Sequence, residues 1–162
     1  MRRYLFLSFI SFLLIVFSTT VVNFVAIGNA IPDLLLMWIV YIAITQGQLT
    51  GTLFGFSIGL FVDVISGNDG MLGLSALCKS LAGFVAGYFY HENKIEITLS
   101  SSKFLFAVGT SALLHNALYF VIFLRGSDVG WWSAIVAYGI PSMLYTTALA
   151  VVPMSLFRRK YQ

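Results

Sequence analysis

The chain has 162 residues, 59% of them hydrophobic and only 9% charged, with a net charge of +3 and a mean hydropathy of +0.93. A soluble domain carries roughly 25% charged residues, so this composition excludes one and points to a single polytopic membrane domain. The basic residues sit at the ends and in one loop, where membrane topology needs them, so the charge is no nucleic-acid signal; one cysteine, Cys78, rules out an intrachain disulfide and a cysteine metal cluster.

Six apolar segments follow one another, predicting an all-α membrane protein with spans at about 4–28, 32–46, 48–66, 71–90, 104–124 and 131–157. The first opens on Arg2 and Arg3 and has small residues at Gly28-Asn29-Ala30. Its apolar stretch exceeds a signal-peptide h-region, and the expectation is a retained helix. The second is short for a bilayer and begins at Ile31-Pro32-Asp33, a helix start with proline and a carboxylate in place. Asp33 reads equally as a cap and as a partner contact. With six spans and a cytoplasmic N-terminus, Arg2, Arg3, Lys94, Lys103, Arg158, Arg159 and Lys160 fall inside and only Arg125 outside. Merging the second and third segments moves most of these charges out, so the positive-inside rule favours six spans with both termini cytoplasmic.

The third segment carries a four-residue glycine row, Gly47, Gly51, Gly55 and Gly59, and the next step is Asp63. In a membrane, small residues at this spacing let a second helix approach to backbone distance. Each four-residue step also turns by about 40° on a 3.6-residue helix, so the two ends of the row are expected to meet different neighbours. Gly55-Phe56-Ser57-Ile58-Gly59 matches the G-x-S-x-G nucleophile elbow, but inside an apolar helix that pattern lacks its strand-to-helix turn. The fourth segment has a second small-residue pair, Gly83 and Gly87, and the turn Ser66-Gly67-Asn68-Asp69-Gly70 joins the two as a tight hairpin. Lys79, two turns into the fourth span, is an intramembrane cation that needs a partner, and Asp63 on the adjacent helix is the expected one. A structural ion pair is favoured over a transport site.

His91 to Lys103 forms the longest polar stretch, on the cytoplasmic side. In the fifth segment His115-Asn116 reads as an interhelical hydrogen-bonding pair, as does Asn23 in the first. His91 and His115 lie on different elements, so no metal or cofactor is expected. Pro141 predicts a kink in the sixth segment, and Tyr88, Tyr90, Trp131, Trp132 and Tyr161 fit interfacial belts.

Ile31-Pro32-Asp33-Leu34-Leu35-Leu36, the glycine row, Asp63, and then Gly67, Gly70, Gly73 and Gly83 together resemble the MreD family of bacterial rod-shape-determining membrane proteins. The match is best from Pro32 to Gly87. Where the family often has a basic residue before the proline, this chain has Ile31. The resemblance implies a non-enzymatic inner-membrane component of the cell-wall elongation machinery that binds MreC and acts beside MreB, RodA and a class-B penicillin-binding protein in peptidoglycan synthesis. It also implies a six-helix fold similar to the S components of energy-coupling-factor transporters. The glycine row and the hairpin of the third and fourth spans are the expected contact region for MreC, with Asp33 and Asp63 orienting the outer ends. The alternative is an S-component-like vitamin binder, with Asp63, Asn68 or Lys79 at its ligand.

Overall fold

The computed structural model describes residues 2–21, 26–28, 30–66, 71–125, 128 and 130–161. Asn23 and the turn residues Gly67, Asn68, Asp69 and Gly70 lie outside the described residues. The described chain is helical, with no strand beyond an isolated bridge between Ile27 and Ala30. Its elements are α1 (Arg2–Val21), α2 (Leu34–Gln46), α3 (Gln48–Ser66), α4 (Leu74–Ala86), α5 (Ile95–Leu99), α6 (Ser102–Phe123), α7 (Trp131–Ala134), α8 (Ile140–Leu149) and α9 (Val151–Tyr161).

Among the described residues, four stretches are long and apolar enough to cross a membrane: Arg2–Thr20, Gln48–Ile65, Ser102–Phe123 and Trp131–Arg159. Leu34–Gln46 and Leu74–Phe89 are shorter apolar helices. Successive helices reverse direction. The start of α1, the end of α2 and the α5 region share one recess, while the ends of α1, α3 and α6 meet the starts of α2 and α8 at the other pole. We call these the basic end and the cleft end.

The short α2 is the axis of the bundle. It has no polar face, and Leu36, Ile39, Val40, Ile42, Ala43 and Ile44 are wholly buried, as expected of a helix surrounded on all sides. It touches α1, α3, α4, α5 and α6. A single residue, Gly47, joins it to α3. Its φ of +92° is one that side chains rarely adopt, and its N–H closes α2 on the Ala43 carbonyl at 3.0 Å. Gly47 therefore makes a turn rather than heading the helical glycine face.

The pairing of α3 with α4 is the most extensive in the molecule. A Cβ at Gly51 would lie 2.8 Å from the Ala43 Cα, one at Gly55 2.9 Å from the Lys79 carbonyl carbon, and one at Gly59 2.5 Å from the Ala76 Cα. From the opposite side, a Cβ at Gly83 would meet the Gly51 carbonyl carbon at 2.8 Å, and one at Gly87 the Gln48 Cβ at 2.5 Å. Carbon atoms settle near 3.5–4.0 Å, so neither helix has room for a side chain here. The neighbours along the row do diverge, though all lie within the chain: Gly51 packs first against Ala43 of α2, while Gly55 and Gly59 pack against α4.

The polar stretch after α4 is more ordered than its composition suggests. A 3₁₀ turn at Glu92–Lys94 leads into α5, whose Thr98 and Leu99 are buried against the bundle. The last passage, Trp131–Arg159, is one helical run that accommodates two prolines. Pro141 has no N–H for the Ala137 carbonyl, and the backbone widens into a π turn over Ile135–Gly139, with the Ile140 N–H reaching Ile135. Pro153 likewise gives nothing to the Leu149 carbonyl, while the Ala150 and Met154 N–H groups carry the helical bonding across the junction of α8 and α9.

Candidate functional site

α2 is 13 residues long, about 20 Å at 1.5 Å per residue, against a hydrocarbon thickness of about 30 Å. Over its N-terminus the bundle opens into a cleft of about 680 Å³. Asp33 sits at its floor as the α2 N-cap: one carboxylate oxygen accepts the Leu36 N–H at 2.8 Å, satisfying a helix-end donor. The other oxygen takes the ammonium of Lys79 from α4 and lies 3.6 Å from Nε2 of His115 on α6. Lys79 and His115 are buried, and about a quarter of the Asp33 side chain remains exposed.

The last passage closes the network through groups the sequence did not mark. The Asp33 N–H donates to Oγ1 of Thr146 at 3.0 Å and the Ile31 N–H to Oγ of Ser142 at 3.1 Å. Asn116 donates to the Gly139 carbonyl in the π turn at 2.8 Å. One aspartate thus ties α2 to α4 and α8 and lies beside His115 of α6. Tyr119, Phe120 and Tyr138 form an aromatic wall, and Ser18 and Thr19 of α1 the opposite rim. Ser142 and Thr146 stand one helical turn apart, which is the only trace in the sequence that they share a face.

Asp63 does not pair with Lys79. Its oxygens accept N–H groups from Gly73 at 3.0 Å and from Ser75 and Ala76 at 3.2 Å each. Gly73, the α4 N-cap, has no side chain to do this, so α3 supplies the missing cap from its own last turns. The charge lies on the positive end of the α4 dipole. Lys79 is more than a turn further along α4 and reaches Asp33 instead. Of the residues named for a ligand, Lys79 lines the cleft, Asp63 is buried in the cap, and Asn68 lies outside the described residues.

The glycines named for partner contact face inward. Gly51, Gly55, Gly59, Gly83 and Gly87 are covered by neighbouring helices of the same chain, while Leu53, Phe56, Leu60, Phe61 and Val64 on the opposite side of α3 are exposed. Ser57 of the G-x-S-x-G match lies mid-helix in α3, while His115 faces Asp33.

Neither the curated proteins nor the solved structures compared with the chain include a match. The family model described as rod shape-determining protein MreD matches residues 1–161. With that match over the residues of both α1 and the last passage, and an all-helical apolar bundle beneath it, the chain belongs to the MreD family of rod shape-determining membrane proteins.

Proposed function

We propose that the chain crosses the bacterial inner membrane six times with both termini cytoplasmic, and that it serves rod-shape determination as a non-enzymatic assembly protein binding the transmembrane region of MreC. The family match over residues 1–161 carries this reading. Two features support it. Arg2, Arg3, Lys94, Lys103, Arg158 and Arg159 belong to the basic end and Arg125 to the other, as the positive-inside rule asks of six crossings. The described loops are short and the flanks of the bundle are apolar, so helix-to-helix contact within the bilayer is the available mode of binding. Through MreC the chain would join RodA, a class-B penicillin-binding protein and MreB in organising peptidoglycan synthesis.

Co-purification tests this. MreC is expected to be retained by this protein from membranes, and its retention lost when its transmembrane helix is replaced by an unrelated one of equal length. Undiminished capture with the replaced helix overturns the reading. The polar cleft over Asp33 favours a second reading, in which the bundle holds a small molecule in the manner of the S components. Calorimetry with candidate vitamins separates the two, since that reading requires saturable binding to the unaltered protein.

A further inference from the structure

A second groove opens at the basic end, between α1 and the α2–α9 wall. It has a volume of about 590 Å³ and is lined almost wholly by apolar side chains. Its back is a stacked aromatic ladder. Trp38 lies on Tyr41 with centroids 5.2 Å apart, and Tyr41 on Phe157 at 5.6 Å. The Trp38 indole N–H donates to Oγ of Ser11 at 2.8 Å, fixing α1 to this wall. Arg3 is at the mouth, lining both the groove and the adjoining recess. Glu92, Lys94 and Glu96 line that recess as well, yet Arg3 forms no ion pair among the described residues.

The dimensions select the occupant. Along α1 the lining runs from Arg3 to Leu14, about 16 Å at 1.5 Å per residue. That is roughly one leaflet of a hydrocarbon core about 30 Å thick. A partner's crossing helix needs an apolar track of the full thickness. This one stops at Leu14 and Leu34, where Ser18, Thr19 and Asp33 begin the polar cleft. An empty apolar groove facing lipid loses dispersion contacts on one side, and a cation at an inner-leaflet mouth attracts phosphate headgroups.

We propose that the groove holds an acyl chain of an anionic phospholipid of the cytoplasmic leaflet, with the lipid phosphate on Arg3. The leaflet assignment rests on the six-crossing reading; the occupancy does not. The site would make the protein sensitive to the anionic lipid content of the membrane around it.

The test is native mass spectrometry of the full-length protein released from nanodiscs holding equal phosphatidylglycerol and phosphatidylethanolamine. The expected result is retention of phosphatidylglycerol several-fold over phosphatidylethanolamine. Arg3→Gln should abolish that preference, Arg3→Lys should keep most of it, and Arg125→Gln at the other end should leave it unchanged. Ile10→Trp, which fills the groove, should lower retention of both lipids. Because Arg3 is exposed, its variants are expected to fold, and an unchanged melting temperature checks this. Equal retention of the two lipids, or a preference that survives Arg3→Gln, overturns the proposal. So does displacement of the lipid from the groove by the helix of bound MreC.

Discussion

At the residue scale, two aspartates that look alike in the sequence do different work. Asp63 is 2% exposed and, among the described residues, its carboxylate accepts only from backbone N–H groups. Asp63→Ala would orphan three donors at the start of α4, and leaving buried donors unpaired costs about 1–3 kcal/mol. A melting temperature several degrees lower in detergent is expected, with Asp63→Asn intermediate because its amide oxygen still accepts. No loss in the alanine variant would remove the cap from the account. Asp33 holds a charge partner as well as a cap. Breaking a buried pair from one side costs about 3–5 kcal/mol, so Asp33→Asn should destabilise strongly by stranding the ammonium of Lys79. Adding Lys79→Met should restore part of the loss, and strictly additive losses in the double-mutant cycle would contradict the pairing. The sequence marks Asp33, Asp63, Lys79 and His115 as unusual, because charge in an apolar chain stands out. It did not reveal who meets whom. Spacing fixes depth along a helix axis, not the direction in which a neighbour lies, and the partners of Asp63 are backbone groups that no residue type announces. Ser142 and Thr146 escaped notice because hydroxyls in a membrane helix usually bond to their own backbone, as Thr146 also does to Ser142.

At the element scale, the α3–α4 hairpin is set by the absence of side chains. Gly59→Leu would drive a branched side chain into the backbone at Ser75 and Ala76, and α4 cannot give way without leaving the Asp63 cap. The protein is expected to vanish from the folded membrane fraction, as judged by detergent size-exclusion profiles. Leu60→Ala on the exposed face should leave the profile intact. A monodisperse Gly59→Leu variant would show that the helices can separate. The small-residue spacing pointed to this close approach, but not to its being met by α2 and α4 of the same chain. The second segment was the least secure in the sequence, being too short for an ordinary span, and it proves to be the central helix. Its brevity and its lack of a polar face have one cause, since a helix enclosed by others need not reach the full bilayer thickness. The interruption at Pro141 was legible from proline's missing donor. The π turn that absorbs it was not legible, because it involves a neighbour on another helix: Asn116 donates to the Gly139 carbonyl.

At the scale of the whole molecule, the basic end and the cleft end differ in charge and in the cavity each carries. Topology can be tested with the chain's own economy of thiols. Cys78 is wholly buried, so a cysteine placed at exposed Asp128 or Asn93 reports almost alone. A membrane-impermeant maleimide applied to intact cells should label the Asp128→Cys variant and reach Asn93→Cys only after lysis. The reverse pattern would dismiss six crossings with cytoplasmic termini. The cap supplied by Asp63 also bears on how the chain is made. Gly73, Ser75 and Ala76 follow it by ten to thirteen residues, so when α3 first leaves the ribosome its carboxylate has none of its partners. An unmatched charge resists entry into lipid. The cap therefore favours α3 and α4 entering the bilayer as a pair, the second helix supplying the partners that the first one's charge requires.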